Sequence, residues 1–195
     1  MKRFLLLLLL AYMSFINGCA TMGSTDDEIT DLMLLHDRRP RDTIVLDKRL
    51  ETEIISRLNE DYGDLLVQSH VNINVYNGAV LVTGETPNEA IRDDIISKIR
   101  VIPHVKGVHN NLAIAYPSDF DSRNNDTGMT GNIKAALAQI RTLPGFESSM
   151  IKVVIEDATV YLMGMVRRSE GDVVINVVRH QPDVKQIITV FEYLD

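Results

Sequence analysis

The side chains able to do chemistry are few and scattered. Five histidines, His36, His70, His104, His109 and His180, stand at spacings that match no metal-ligand pattern. His104 and His109 come nearest, but Pro103 breaks any helix that would set them on one face. All five read as solvent-exposed, and no metal site is expected. The paired carboxylates Asp93-Asp94 lie beside an apolar helical stripe and read as solvated surface rather than an acid–base pair. Gly78, Gly84 and Gly107 fall at a turn, a strand end and a loop, and form no phosphate cradle. Ser, His and Asp occur together only as isolated residues. The expectation is a chain with no catalytic residue and no cofactor, hence no enzyme. A formal net charge of −7, no Trp and no basic stripe interleaved with aromatics exclude a nucleic-acid partner.

One residue has a defined chemistry. Cys19 is the only cysteine, and it follows a positive Lys2-Arg3 and an apolar Phe4–Ile16 run. Residues 1–18 read as a secretory leader, too short for a membrane span with ordinary flanks. A lone thiol forms no internal disulfide and suits an oxidising compartment poorly. The string Ile16-Asn17-Gly18-Cys19 resembles the bacterial lipobox. That resemblance implies cleavage before Cys19 and its acylation, palmitate included, and Ala20 in place of Asp after it implies delivery to the outer membrane. More than one acyl chain makes such attachment stable, since each buried CH₂ contributes roughly 0.8 kcal/mol. Losing Lys2 and Arg3 leaves 18 basic against 27 acidic residues, a mature charge of −9.

The rest of the chain repeats. Val71–Gly84 recurs eighty residues on as Ile151–Gly164, with apolar residues alternating on the incoming arm as in a half-buried strand. Asn77-Gly78 accepts φ > 0 at both central positions and predicts a two-residue hairpin. Asp157-Ala158 stands in its place in the second copy, and Ala there predicts a different or longer turn. Leu46, Leu50, Ile54, Ile55 and Leu58 form a helical stripe starting near Asp47 as N-cap. Thr86-Pro87-Asn88-Glu89 reads as a capping box ahead of a second helix through Ile102. Val105–Ala115 is a third strand. In the second copy Met129, Ile133, Leu137 and Ile140 make the first stripe. Val173, Val174, Val177 and Val178 make the second, behind a poorly capped Arg167-Arg168-Ser169, and Val184–Leu194 is the last strand. A period near 80 is too long for a solenoid unit. The expected fold is α+β: two tandem α-β-β-α-β domains, each a small three-stranded sheet with two helices on one face. The boundaries read as a leader at 1–18, a lipidated tether at 19–46, a first domain at 47–116, a linker at 117–127 and a second domain at 128–195. Gly84 and Gly164 end the second hairpin strands, where a helix is expected to approach closely.

The α-β-β-α-β unit, its apolar hairpin ending in Gly and its Val-x-x-Val third strand resemble the BON domain. Two copies behind a lipobox resemble the dual BON-domain outer-membrane lipoproteins, most specifically at Asn125-Asp126-Thr127, Val160–Val166 and Asp183-Val184-Lys185. The resemblance covers Asp47–Asp195. It implies a non-enzymatic, periplasm-facing, lipid-anchored protein that supports outer-membrane integrity and binds anionic phospholipid through the first helix of its second domain. The family carries an aromatic residue after Asn-Asp-Thr, where this chain has Gly128. Charge points to the same domain: residues 42–116 carry 7 basic and 11 acidic side chains, residues 130–195 carry 7 and 8. The lipid site is expected at Gly128, Met129, Lys134 and Arg141, with Met129 entering the acyl boundary and the two cations, seven apart, sharing a helix face. The alternative is a protein–protein adaptor for outer-membrane assembly proteins, contacting them through Leu32–Leu35 and the acidic first domain.

Overall fold

The computed structural model describes residues 37–63, 69–117 and 120–195. Cys19, the leader, His36 and Leu32–Leu35 lie outside the described residues. The order is α1 (Arg41–Tyr62), β1 (His70–Tyr76), β2 (Ala79–Thr86), α2 (Glu89–Arg100), β3 (Gly107–Ile114), α3 (Phe120–Leu137), β4 (Ile151–Glu156), β5 (Thr159–Val166), α4 (Arg168–Arg179) and β6 (Gln186–Tyr193). Each sheet has three strands, in the orders β1-β2-β3 and β4-β5-β6. The hairpin pairs are antiparallel and the third strand is parallel to the second. This is the expected pair of α-β-β-α-β units.

Within each unit the helical stripes cover one sheet face. Leu50, Ile54 and Leu58 of α1 and Ile95, Ile96 and Ile99 of α2 pack on Ile73, Val75, Val80, Val82 and Leu112. Ile133 and Leu137 of α3 and Val174 and Val178 of α4 pack on Val153, Val160, Leu162 and Val166. Leu46 and Ile55, read as stripe members, are 38% and 45% exposed.

The helix starts correct the sequence reading. Asp47 is no N-cap: it lies inside α1, buried, and its carboxylate accepts from the N–H groups of Asn77 (2.6 Å) and Gly78 (2.9 Å) in the hairpin turn. Asp126 does the same from inside α3, accepting from Asp157 (2.9 Å) and Ala158 (3.0 Å). The helix must run past the turn for its carboxylate to reach, so both first helices start upstream of Asp47 and Gly128. The turn-rich string Phe120–Thr127, read as linker, is therefore helical, and Gly128 and Gly131 sit in a helix interior. The same device corrects the second hairpin. Asp157 and Ala158 take φ of 45° and 57°, matching Asn77 and Gly78 at 48° and 77°. Both copies thus close with two residues, the carboxylate holding Ala158 in a region alanine dislikes.

Two caps differ from expectation. Thr86 ends β2, and Asn88 is the N-cap of α2, its side chain accepting from Ile91 N–H at 3.0 Å. At α4, Glu170 Oε2 accepts from Arg167 N–H at 2.8 Å, so this start is capped after all. Gly171 lies beneath Phe191 and Tyr193, where a Cβ would touch both rings at 3.4 Å.

The second faces of the sheets are buried too. Tyr76 and Leu81 of the first unit form one cluster with Tyr161 and Met163 of the second, joined by Val154, Met165, Ile188 and Val190. Each fully buried side chain of this kind contributes roughly 1.5–3 kcal/mol. The two units pack sheet against sheet, helices outward.

Candidate functional site

The expected lipid-site residues are not gathered as expected. Met129 is buried, 5% exposed, and its sulfur takes a contact from Asn125 Nδ2 at 3.6 Å, so it is a core side chain. Gly128 faces open space on the exposed side of α3. Lys134 lies in the last turn, but α3 stops at Leu137, so Arg141 is off the helix and shares no helical face with Lys134. The Arg141 guanidinium instead donates to Ala138 O (2.6 Å) and Ile140 O (3.3 Å), C-terminal carbonyls left over when the helix ends. Lys134 and Arg141 are both exposed, and neither forms an ion pair among the described residues. Beside Arg141 a groove of about 750 Å³ runs between α3 and α4, lined by Ala135, Ile140, Val173 and Val177 together with polar Asn132, Gln139, Asn176 and His180.

The sequence reading missed the seam between the units. An offset of 80 residues maps Tyr76 onto Glu156, His70 onto Met150 and Glu85 onto Met165. At one end Tyr76 reaches the second unit, its hydroxyl donating to Met150 O (3.0 Å) and accepting from Met165 N–H (3.4 Å). At the other end Glu156 reaches the first unit and meets His70 and Glu85. His70 Nδ1 lies 3.3 Å from Glu85 Oε2 and 3.5 Å from Glu156 Oε1. Asn72 Nδ2 donates to Glu156 Oε2 at 2.7 Å, with Thr83 Oγ1 at 3.4 Å from the same oxygen. Burial pushes the Glu156 carboxyl above the usual carboxylate range, and neighbouring Glu85 and Asp126 add to that while Asn72 and His70 oppose it. His70 is thus half-buried between two carboxylates, not solvent-exposed, whereas His104, His109 and His180 are exposed as read. The available clue was the hairpin register: a turn at Asn77-Gly78 places His70 directly opposite Glu85.

The Tyr76 end is rich in cations. Arg39 lies over the Tyr76 ring, 3.7 Å from its centroid, and pairs with Asp37 (2.6 Å) and Asp47 (2.8 Å). Lys152 Nζ pairs with Glu51, which also accepts from Val75 N–H at 2.9 Å. Burial favours the protonated form of Glu51, but Lys152 and the Val75 N–H outweigh it and hold the carboxyl below its usual range. Arg38 donates to Met165 O (2.9 Å) and grips Glu170 through two 2.6 Å bonds. The residues Asp37–Leu46, read as tether, are therefore part of the folded body. Asp93 and Asp94 are surface, Asp94 accepting from Tyr62 and standing 3.5 Å from Lys98.

The Arg38–Glu170 pair gives a pH prediction. Chiefly through its hydrogen bonds from Arg38, Glu170 is held below the ordinary carboxyl value of 4.5. A carboxyl with a lowered folded-state pKa stabilises above its unfolded value, and that contribution disappears as pH falls through the folded value. Glu170→Gln is expected to cost about 2–3 kcal/mol at pH 7, the Glu170 side chain being only 3% exposed. The gap to wild type in urea midpoints should stay level down to about pH 4.5 and close below it. A gap that persists at pH 2 would mean the pair is not its source.

Gly84 and Gly164 are tight, but the neighbour is not a helix. A Cβ on Gly84 would lie 1.8 Å from His70 O, and one on Gly164 would lie 2.8 Å from Met150 O, both on the partner side of the hairpin.

The family model described as BON domain matches residues 46–116 and again 125–195. The chain belongs to the BON-domain family. This dual BON protein is 25% identical over 190 residues to "Outer membrane lipoprotein DolP" of Haemophilus influenzae, covering 97% of this chain and 96% of the relative. It is also 25% identical over 158 residues to "21 kDa hemolysin" of Actinobacillus pleuropneumoniae, covering 81% and 79%. Among solved structures, CdsD, a structural protein of the type III secretion system of Chlamydia trachomatis, is similar at 10% identity and a TM-score of 0.31, covering 73% of this chain and 91% of that one. That score is too low to bear on the fold. The two matched domains and the full-length likeness to DolP make this a dual BON-domain protein of the DolP type.

Proposed function

We propose that this chain is an envelope protein anchored to the outer membrane through acylated Cys19, facing the periplasm, that does no catalysis. It binds anionic phospholipid through its second BON domain and thereby supports membrane integrity. The observation that carries the reading is the likeness to a DolP lipoprotein along nearly the whole chain. A contact at the end of α3 rather than its start is supported by the burial of Met129 and the exposure of Lys134 and Arg141. Lys134 and Arg141 offer cations without acidic partners among the described residues, and the groove beside Arg141 sets apolar Ile140, Val173 and Val177 next to polar Asn132, Gln139 and Asn176, a mixed lining for the boundary between headgroup and acyl chain. Met129, being core, has no part in it. A basic side chain near an anionic surface contributes up to about 1 kcal/mol.

Flotation with phosphatidylglycerol or cardiolipin vesicles tests this. Lys134→Glu with Arg141→Glu should weaken binding roughly 30-fold or more at low salt. High salt should shrink the difference, because screening acts over roughly 10 Å at 0.1 M. Wild-type affinity in the double variant would put the site elsewhere, Arg167-Arg168 being next. The adaptor reading draws on the outer face of α1, where Val45 is 50% and Ile55 45% exposed. An adaptor would bind vesicles without regard to their charge.

A further inference from the structure

The seam between the BON domains has two equivalent ends, and only one is electrically balanced. At the Tyr76 end, Asp47 and Glu51 face Arg39 and Lys152. At the Glu156 end the carboxylates are Glu85, Glu156 and, holding the hairpin turn from inside α3, Asp126, and among the described residues no Lys or Arg pairs with Glu85 or Glu156. Glu85 and Glu156 are each 7% exposed. Burying two carboxylates without a cation is costly, far more so than burying a hydrogen-bonded neutral group.

The hydrogen bonding is incomplete in the same place. Three buried side-chain polar atoms lack a hydrogen bond among the described residues, and two of them are His70 Nδ1 and Glu85 Oε2. They stand 3.3 Å apart, but are not aligned to bond each other. A cation between them would take both lone pairs once the His70 proton sits on Nε2, which gives up the long 3.4 Å contact of Asn72 Nδ2 with Nε2. Ligand atoms on a tetrahedral ion with bonds of about 2.0–2.2 Å stand roughly 3.3–3.6 Å apart. Here His70 Nδ1 is 3.3 and 3.5 Å from the two carboxylate oxygens, and the ligand atoms of the three residues all lie within 4.8 Å of one another. Asn72 holds the other oxygen of Glu156 and leaves Oε1 turned toward His70, the usual job of an outer-shell partner. A cleft of about 210 Å³, lined by His70, Asn72, Asp126, Thr130 and Glu156, reaches the cluster and gives an ion a way in.

We propose that His70 and Glu85 of the first domain and Glu156 of the second form a divalent-cation site that clamps the two BON domains together. One imidazole and two carboxylates, with a fourth position for water, suit a borderline ion such as Zn²⁺ over Mg²⁺ or Ca²⁺, which prefer oxygen ligands alone. The site does not depend on lipid binding.

The full chain in detergent micelles, stripped with EDTA and freed of it, is titrated calorimetrically with ZnCl₂, and in parallel with MgCl₂ and CaCl₂. One equivalent of Zn²⁺ should bind at least tenfold more tightly than either other ion. A hundredfold excess over Kd should raise the Tm by about 5–10 °C. Glu85→Gln and Glu156→Gln keep side-chain size and should each weaken Zn²⁺ binding more than tenfold. Asn72→Ala should weaken it about 10–100-fold. Circular dichroism checks that the variants fold, and His70→Gln replaces any that does not. No Zn²⁺ binding by wild type up to millimolar concentration overturns the proposal. So does binding that the Gln variants retain, or that Mg²⁺ and Ca²⁺ match.

Discussion

Gly84→Val is expected to leave no folded protein to purify, with a loss of more than about 4 kcal/mol if any survives. Two costs fall on one residue. The Gly84 backbone has φ +106°, which side-chain-bearing residues rarely adopt, and a Cβ would sit 1.8 Å from His70 O. That oxygen belongs to the backbone of β1 and cannot rotate away, so the hairpin would have to open where Val71 pairs with Gly84. Gly164 is the control within the same molecule. It has the same place in the second hairpin, where Ile151 pairs with it, but its φ is not positive. Its Cβ would meet Met150 O at 2.8 Å and the mobile end of Ile151 at 2.9 Å. Gly164→Ala should therefore cost only about 1–3 kcal/mol. Thermal unfolding and soluble yield compare the two. With the same substitution at both sites, equal losses in Gly84→Ala and Gly164→Ala would show that the backbone conformation at Gly84 contributes nothing.

The hairpins, the order of elements and the helix-facing cores were legible because each rests on a local pattern. Alternation marks β1, spacing of three and four marks α1 to α4, and Asn-Gly marks the first turn. What escaped were contacts between residues far apart in the chain. Asp47 reads as an N-cap and Asp126 as a linker residue until the turns they hold from inside α1 and α3 are seen. The seam did leave a mark. Val80-Leu81-Val82 and Val160–Val166 are continuous apolar runs, the pattern of strands buried on both faces, whereas a two-layer domain needs only alternate residues buried. Leu81, Tyr161 and Met163 are the surplus, and they are the seam. Which polar residues meet across it could not be read. Glu156 finds His70, and Lys152 finds Glu51, only once two sheets are stacked in one particular register.

Glu51→Ala should be the most damaging change at that seam, costing about 3–5 kcal/mol. Glu51 is 8% exposed, and one carboxylate serves Lys152 of the second domain and the Val75 N–H of the first. Removing it leaves a buried N–H without acceptor, about 1–3 kcal/mol by itself. It also leaves the Lys152 ammonium with Val75 O at 3.4 Å as its remaining contact in the first domain. Glu51→Gln keeps an acceptor for Val75 and loses only the charge, so it should cost less. Lys152→Met removes the stranded ammonium, so combined with Glu51→Gln it should cost about 1–3 kcal/mol less than the two single changes added together. Because Glu51 titrates below its ordinary value of 4.5, these differences belong to neutral pH and should fade as pH falls below about 4.5. Urea unfolding followed separately by near-ultraviolet and far-ultraviolet dichroism reads both the cost and its location. Wild type should unfold in one transition, since the seam couples the domains, and Glu51→Ala should split it as that coupling fails. A single unshifted transition in Glu51→Ala would mean that the apolar cluster around Leu81 and Tyr161 holds the domains together without help from the ion pair.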